Sequence, residues 1–293
     1  MHRQTGQALI RTIRPRQWLK NVLIFIPLVF DQQLNNIPAF LETLAGFVLL
    51  CLVASAVYIV NDLADLESDR YHPKKRLRPL PSGELPIPVA RWSAVVLLAF
   101  AFPVAYLLSP YFCLVLLGYF LLNLTYSRWL KHIPIIDVFV LASFYLLRIV
   151  AGLTLIHVAR FSPWLYVVTT LGALYIGFGK RRAELALLAE GANAHRRVLE
   201  GYTIPLLDQF ITIVSATTIG AYSLYTFSAP NLPDNHAMML TIPFMIYGIF
   251  RYLYIVNMEQ GGGAPEEDFL TDRPLQITIL LWGVTVLAVF YLF

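Results

Sequence analysis

Apolar residues along most of this chain run in blocks of about 20, without the alternation of a half-buried strand or the narrow stripe of a surface helix. "FVLLCLVASAVYIV", residues 47–60, is typical. Blocks of that length suit helices crossing a hydrocarbon layer of roughly 30 Å. In lipid, a lone segment satisfies its own backbone only as a helix. The pattern predicts an all-α polytopic membrane protein of about nine transmembrane helices, over 17–34, 39–62, 86–108, 110–128, 133–157, 162–180, 204–228, 237–257 and 273–293. Pro274 suits the first turn of the last of these. The intervening stretches show neither an interdomain linker nor low-complexity sequence, so residues 1–293 are expected to form one transmembrane domain.

Composition agrees. Of 293 residues, 58% are hydrophobic and only 14% charged, against roughly 25% charged in a soluble domain. The N-terminal "MHRQTGQALIRTIRPRQWLKN" is basic but has no apolar core of its own, so no cleavable signal peptide is expected. Cys51 and Cys113 fall inside apolar runs and read as packing residues, giving neither a disulfide nor a thiol metal site. A pI near 9.0 would suit nucleic acid in a soluble chain. In a membrane chain the cations are first a topology signal, and no nucleic-acid partner is expected. Arg148 lies within a span and Arg160 in an outer connection. Every other Lys and Arg sorts to one side if the N-terminus is cytoplasmic. That distribution predicts the N-terminus inside, the C-terminus outside, and the long polar functional loops on the cytoplasmic face.

The densest chemistry follows the second block, in "NDLADLESDRYHPKKRLRPLPSG", residues 61–83. On a continuous helix Asn61, Asp65 and Asp69 recur every four residues, and Asp62 precedes Asp65 by three, so their side chains converge. A helix C-terminus already favours positive charge, which makes stacked aspartates there unfavourable without a cation. Carboxylate and amide oxygens suit Mg²⁺, or Mn²⁺, with waters and phosphate oxygens completing the shell. Asn61, Asp62, Asp65 and Asp69 are therefore the expected metal set, with Asp62 and Asp65 the foremost catalytic candidates. The plainer alternative is a solvated helix end paired with nearby cations. Lys74, Lys75, Arg76 and Arg78 follow at once. Cations beside a carboxylate-held metal make a diphosphate site, whereas topology alone would explain the charge but not the adjoining acids.

Together with "RPRQWLKN", "YSRWLKHIPIIDVF", "LRIVAGL", "GKRRAEL" and "LTDRPLQ", this stretch resembles the UbiA-type intramembrane prenyltransferase superfamily, and within it the branch that transfers phosphoribosyl groups to polyprenyl phosphates of the decaprenyl type. The likeness runs from about residue 14 to the C-terminus. It implies helices surrounding a cavity open to the cytoplasmic face of a bacterial plasma membrane. It also implies transfer of a 5-phosphoribosyl group from phosphoribosyl diphosphate (PRPP) to a polyprenyl phosphate, Mg²⁺-dependent, toward a cell-wall arabinose donor. Ordinary members of the superfamily carry a second aspartate-rich motif after the sixth span. Here that place reads Lys180, Arg181, Arg182 and Glu184. The exchange of acids for cations favours direct phosphate binding and suits a donor bearing an extra phosphate.

Further substrate-binding candidates are Lys20 and Asn21 at the first span, with snorkelling and capping as their plainer roles, and Tyr126 and Lys131 about a short turn, where the plainer role of Lys131 is a topology charge. Lys180, Arg181 and Glu184 complete the expected substrate-binding set. Asp137 and Arg148 lie eleven residues apart, on nearly the same helix face. Charge at membrane depth faces a cavity or a partner, so Arg148 is expected either to contact substrate in a polar cavity or to join a buried ion pair. The alternatives for the whole chain are a prenyltransferase moving a prenyl group to a small aromatic acceptor, and a lipid or solute transporter. The missing acidic motif weighs against the first. Polar residues gathered at one membrane face, with no inverted repeat, weigh against the second.

Overall fold

The computed structural model describes residues 2–71, 75–156, 163–189, 197–229, 232–259 and 261–292. Lys74, His72 and Arg196 lie outside them. Among the described residues the regular structure is entirely helical. Among these residues seven helices are long and apolar enough to cross a membrane, and the chain is an integral membrane protein.

Prolines punctuate the helix starts. A proline occupies the first or second position of α3 (Ile37–Ala64), α5 (Ile87–Leu108), α6 (Pro110–Arg128), α9 (Ile204–Ser228), α10 (Ile242–Met258) and α11 (Pro265–Thr271). There the missing N–H is no loss and the fixed φ already matches a helix. Asn36, Ser109 and Thr203 cap α3, α6 and α9, each side-chain oxygen accepting from a backbone N–H of the first turn.

Two of the nine expected spans differ from the other seven. Residues 17–34 do not form one helix. A 3-10 helix, Pro15–Phe25, leads into the five-residue α2, Ile26–Phe30. Pro27 offers no N–H to residue 23, and the Ile26 N–H bonds instead to the Leu23 carbonyl in the tighter pattern. The sixth expected span is α8, Pro163–Ala189, which is long but interrupted by glycines, threonines and a charged end. The fifth is shorter than expected, as α7, Ile136–Leu153.

The chain divides into two compact units. The first comprises residues Met1–Leu28, Leu34–Trp129 and Leu147–His157. It holds α1 (His2–Ile13), the 3-10 helix, α3, the short α4 (Leu66–Tyr71), α5, α6 and the end of α7. Helix α3 is its axis, burying Leu49, Leu50, Val53, Val57 and Ile59. At Gly152 an added Cβ would lie 2.1 Å from the Ile24 carbonyl oxygen, so only glycine lets α7 lie against the 3-10 backbone. The outward faces of α5 and α6 expose Trp92, Val96, Phe100, Leu107, Tyr111 and Leu114, as lipid-facing helices do.

The second unit comprises Val29–Gln33, Leu130–Leu146 and Val158–Phe293. It contains the start of α7, then α8, α9, α10, α11 and α12 (Arg273–Leu292), around a core that includes Val138, Leu174, Tyr175, Phe178, Leu207 and Tyr252. An apolar cavity of about 280 Å³ lies within it, walled by Tyr175, Ile249, Tyr252, Phe269, Leu275 and Trp282 among others. None of the expected site residues lines it.

Candidate active site

Helix α3 stops at Ala64 because Asp65 leaves the helical region, with φ −91° and ψ 5°. The turn is still bonded through: the Asp65 N–H donates to the Asn61 carbonyl, and the Asp69 N–H to the Asp65 carbonyl, at 2.9 and 2.8 Å. This break selects among the acids. Asp62 on α3 and Asp69 on α4 are buried, whereas Asn61 and Asp65 are half-buried.

One guanidinium nitrogen joins the two buried acids. Arg78 Nη1 donates to Asp69 Oδ2 at 2.7 Å and to Asp62 Oδ1 at 3.2 Å. Lys75 Nζ lies 3.4 Å from Asp69 Oδ1. Arg14 Nη2 donates to Asp62 Oδ1 at 2.5 Å, with its guanidinium 5.0 Å from the Tyr58 ring centroid. The acids are 4% and 2% exposed at their side chains, while Arg14, Arg78 and Lys75 are 30%, 32% and 41% exposed. Three cations thus meet two sheltered carboxylates and remain open to an anion.

Arg14 reaches Asp62 from a strained backbone. It is left-handed, φ 53° and ψ 63°, directly before Pro15, where a preceding residue prefers an extended conformation. The segment is pinned to α3 beyond it. Trp18 Nε1 donates to Ser55 Oγ at 3.1 Å, and the Ser55 hydroxyl meets the Ile13 and Cys51 carbonyls at 3.3 and 2.7 Å.

A second polar set of the same unit is enclosed. Arg148 Nε donates to Asn21 Oδ1 at 2.8 Å and Nη2 to the Tyr119 hydroxyl at 3.2 Å, while Asn21 Nδ2 meets Cys51 Sγ at 3.2 Å. Asn21 and Arg148 are therefore brought together, both buried. The neighbouring Lys20 donates to Gln17 Oε1 at 2.8 Å. Arg76 is exposed and Tyr126 half-buried.

In the second unit Arg181, fully buried, donates from Nε to Asp137 Oδ2 at 2.5 Å and from Nη1 to Glu184. The Tyr202 hydroxyl donates to Asp137 Oδ1 at 2.7 Å and accepts the Ile135 N–H. Ile135 has φ +70°, a strained value for a β-branched residue, and this bond holds it there. Burial, together with the hydrogen bond to Asp137, pushes the Tyr202 phenol above its ordinary range. Arg181, expected among the phosphate contacts, is enclosed with two acids of its own unit, Asp137 and Glu184. Asp137 does belong to a buried ion pair, but its partner is Arg181, while Arg148 bonds Asn21 and Tyr119. Lys131 and Lys180 are half-buried, and Arg182 pairs with Asp208 at 2.6 Å.

Among the described residues no three His, Cys, Asp or Glu side chains converge as a metal cage. Of the four expected ligands, Asp62 and Asp69 share one cation, Arg78. Two hard carboxylates at a single point fit Mg²⁺, which keeps waters and takes substrate phosphate as its other ligands. Arg14, Asp137 and Tyr202 had no place among the expected site residues. For Arg14 the available signal was a cation directly before a proline, which marks a turn.

The comparisons with known proteins agree with this architecture. The model of the UbiA prenyltransferase family matches residues 25–266. A decaprenyl-phosphate phosphoribosyltransferase of Mycobacterium tuberculosis is 37% identical over 285 residues, covering 95% of this chain and 93% of that protein. One from Corynebacterium glutamicum is 32% identical, covering 98% and 88%. A UbiA homologue from Archaeoglobus fulgidus, solved with GPP and Mg²⁺, superposes with a TM-score of 0.69 at 20% identity, covering 97% of this chain and 99% of that one. With a matching family model over most of its length and relatives above 30% identity across nearly all of it, this chain belongs to the UbiA prenyltransferase family.

Proposed function

We propose that the protein transfers a 5-phosphoribosyl group from PRPP to a polyprenyl phosphate of the decaprenyl type, releasing diphosphate. The observation that carries this is the cluster at the end of α3, where Asp62 and Asp69 are sheltered and Arg14, Lys75 and Arg78 stay partly open. The near-full-length likeness to the decaprenyl-phosphate phosphoribosyltransferases supports the same assignment. So does the cationic "GKRRAEL" where prenyl-transferring members are expected to carry acids.

Asp62 and Asp69 would hold a divalent ion, with Asn61 and Asp65 nearby to bond its waters. Mg²⁺, or Mn²⁺ in its place, supplies charge neutralisation for the departing diphosphate, and the neighbour solved with Mg²⁺ supports the choice. Arg78 and Lys75, with Arg76, bind diphosphate oxygens, and Lys74, adjacent in sequence, is assigned the same role. Lys20 and Tyr126 of the same unit are assigned to the remaining phosphates. Arg148 holds Asn21 and so fixes the 3-10 segment that presents Lys20.

The bond from ribose C1 to the diphosphate oxygen breaks, and its electron pair leaves with diphosphate. An oxygen of the lipid phosphate forms the new bond to C1 from the opposite face. That phosphate is already anionic at neutral pH, so no general base is needed. Catalysis rests on positioning and charge stabilisation. The one-sided sorting of cations supports a site on the cytoplasmic face, with the N-terminus inside and the C-terminus outside, and the likeness to bacterial relatives supports a bacterial membrane for the lipid chain.

The test is diphosphate release by purified protein given PRPP, a polyprenyl phosphate and Mg²⁺. Release requiring all three is expected. Turnover of a prenyl diphosphate with an aromatic acceptor instead would replace this function with ordinary prenyl transfer.

A further inference from the structure

Asp62 meets cations of the chain itself at Oδ1, and Asp69 at both carboxylate oxygens. Arg78 Nη1 touches both acids, at 3.2 and 2.7 Å, and Arg14 takes the same Oδ1 of Asp62 at 2.5 Å. A guanidinium and a metal ion are therefore alternatives for these atoms. The local charge sharpens the conflict. Arg14, Lys75 and Arg78 already balance Asp62, Asp65 and Asp69, and a divalent ion added alone would leave an excess of two positive charges. An arriving diphosphate reverses this. It offers acceptors to both guanidinia, for which the planar fork is well suited, and it brings the negative charge that the added ion requires.

Resting on the phosphoribosyl-transfer function above, we propose that Arg14 and Arg78 are exchangeable counter-ions: they hold the acids, and they pass to the diphosphate of the donor as the divalent ion takes the acids. Metal and donor consequently bind as a pair, each weakly without the other. Arg14 becomes a donor-binding residue in this exchange. Its side chain is only 30% exposed, and its left-handed backbone keeps the guanidinium between Asp62 and the ring of Tyr58. Strain of about 1–3 kcal/mol at such a residue persists where the surroundings over-determine it, as at ligand clamps. Arg78 follows a basic run and is 32% exposed, so a short rotation of its side chain moves it from carboxylate to solvent.

The test has two binding readouts, neither of them turnover. Mn²⁺ affinity without donor is measured by the free-ion paramagnetic resonance signal for the wild type, Arg14→Gln and Arg78→Gln in detergent. Affinity for radiolabelled PRPP at saturating Mn²⁺ is measured by equilibrium dialysis. Each substitution is expected to tighten Mn²⁺ alone about tenfold and to weaken PRPP by about the same factor, the scale of one charge-assisted hydrogen bond. Arg14→Lys and Arg78→Lys keep the charge without the fork and should fall between, which preserves the test if a Gln variant fails to fold. Unchanged or weaker Mn²⁺ binding in the variants overturns the exchange and leaves the metal-dependent function standing. Absence of Mn²⁺ binding in every protein, with PRPP present as well as without, overturns both.

Discussion

The two units each contain a cluster of arginines and aspartates, and the clusters differ in which partner is sheltered. In the first unit the acids are enclosed and the cations open: Asp62 is 4% exposed at its side chain, Arg78 32%. In the second, Arg181 and Asp137 are both at 0%. That enclosed pair ties the α8 end to Asp137 and, through Tyr202, to the strained turn at Ile135. A cluster whose cations keep a solvent face can exchange partners. Exposure of the cation, more than the presence of a salt bridge, separates a cluster open to a solute from a closed one. Both read alike in sequence, as charges beside apolar blocks.

Removing one member from each cluster should give opposite signatures. Asp137→Ala leaves Arg181 buried beside a missing partner and is expected to cost about 3–5 kcal/mol. It should be seen as a large drop in thermal midpoint or a failure to recover folded protein, and an Asp137→Leu, Arg181→Met double variant should regain most of it. Recovery of a folded, fully active single variant would break the contrast. Asp62→Ala should lower the rate of diphosphate release about 10²–10³-fold. Because Arg14 and Arg78 are partly hydrated, its melting should shift by less than about 1 kcal/mol equivalent. Unfolding on a par with Asp137→Ala would show the first cluster to be structural too. Tyr202→Phe strips the acceptor from the Ile135 N–H and a donor from Asp137, and about 1–3 kcal/mol of stability should go with it. Lipid-phosphate and donor KM values should report whether that turn also serves binding.

The smallest effect concerns an acid outside both clusters. Asp272 accepts from Arg251, with Nη2 to Oδ2 at 2.6 Å, and caps Leu275. The Arg251 hydrogen bonds, with the Leu275 N–H assisting, hold its carboxyl below the usual carboxylate range. A depressed folded value stabilises above the unfolded pKa of about 3.9, and that contribution is lost as pH falls through the folded value. Wild type should therefore exceed Asp272→Asn by about 1 kcal/mol at pH 7, with the gap closing below pH 4. Thermal melts across pH 3–7 check this, and a constant gap would contradict it.

Much of the fold was legible because its signals are local. Length and apolarity marked the crossing helices, and prolines marked their starts. The stretch 17–34 misled because hydropathy averages over Pro27, while the missing N–H acts at one carbonyl. The acidic motif was half legible. Spacing gathered Asn61, Asp65 and Asp69 on an unbroken helix, but the break at Asp65 gathers Asp62 and Asp69. Lys75 and Arg78, which follow the acids directly, were legible, but the distant pairings were not. Arg14 lies 48 residues from Asp62 and Arg181 44 from Asp137, and periodicity carries no information about which distant segments meet. Arg148 drew notice through the cost of its charge at membrane depth, yet that cost says only that a partner exists.

Gly152 has a different reach. Its neighbour is the Ile24 carbonyl, so the contact is main chain against main chain. Side chains on either segment can be exchanged for others of different size without altering how close the two strands of backbone run. Mutational tolerance around the contact should accordingly be uneven: permissive at the flanking positions, and closed at 152 even to alanine. A saturation library scored for folded protein would register that position as a single blank column within an otherwise forgiving stretch.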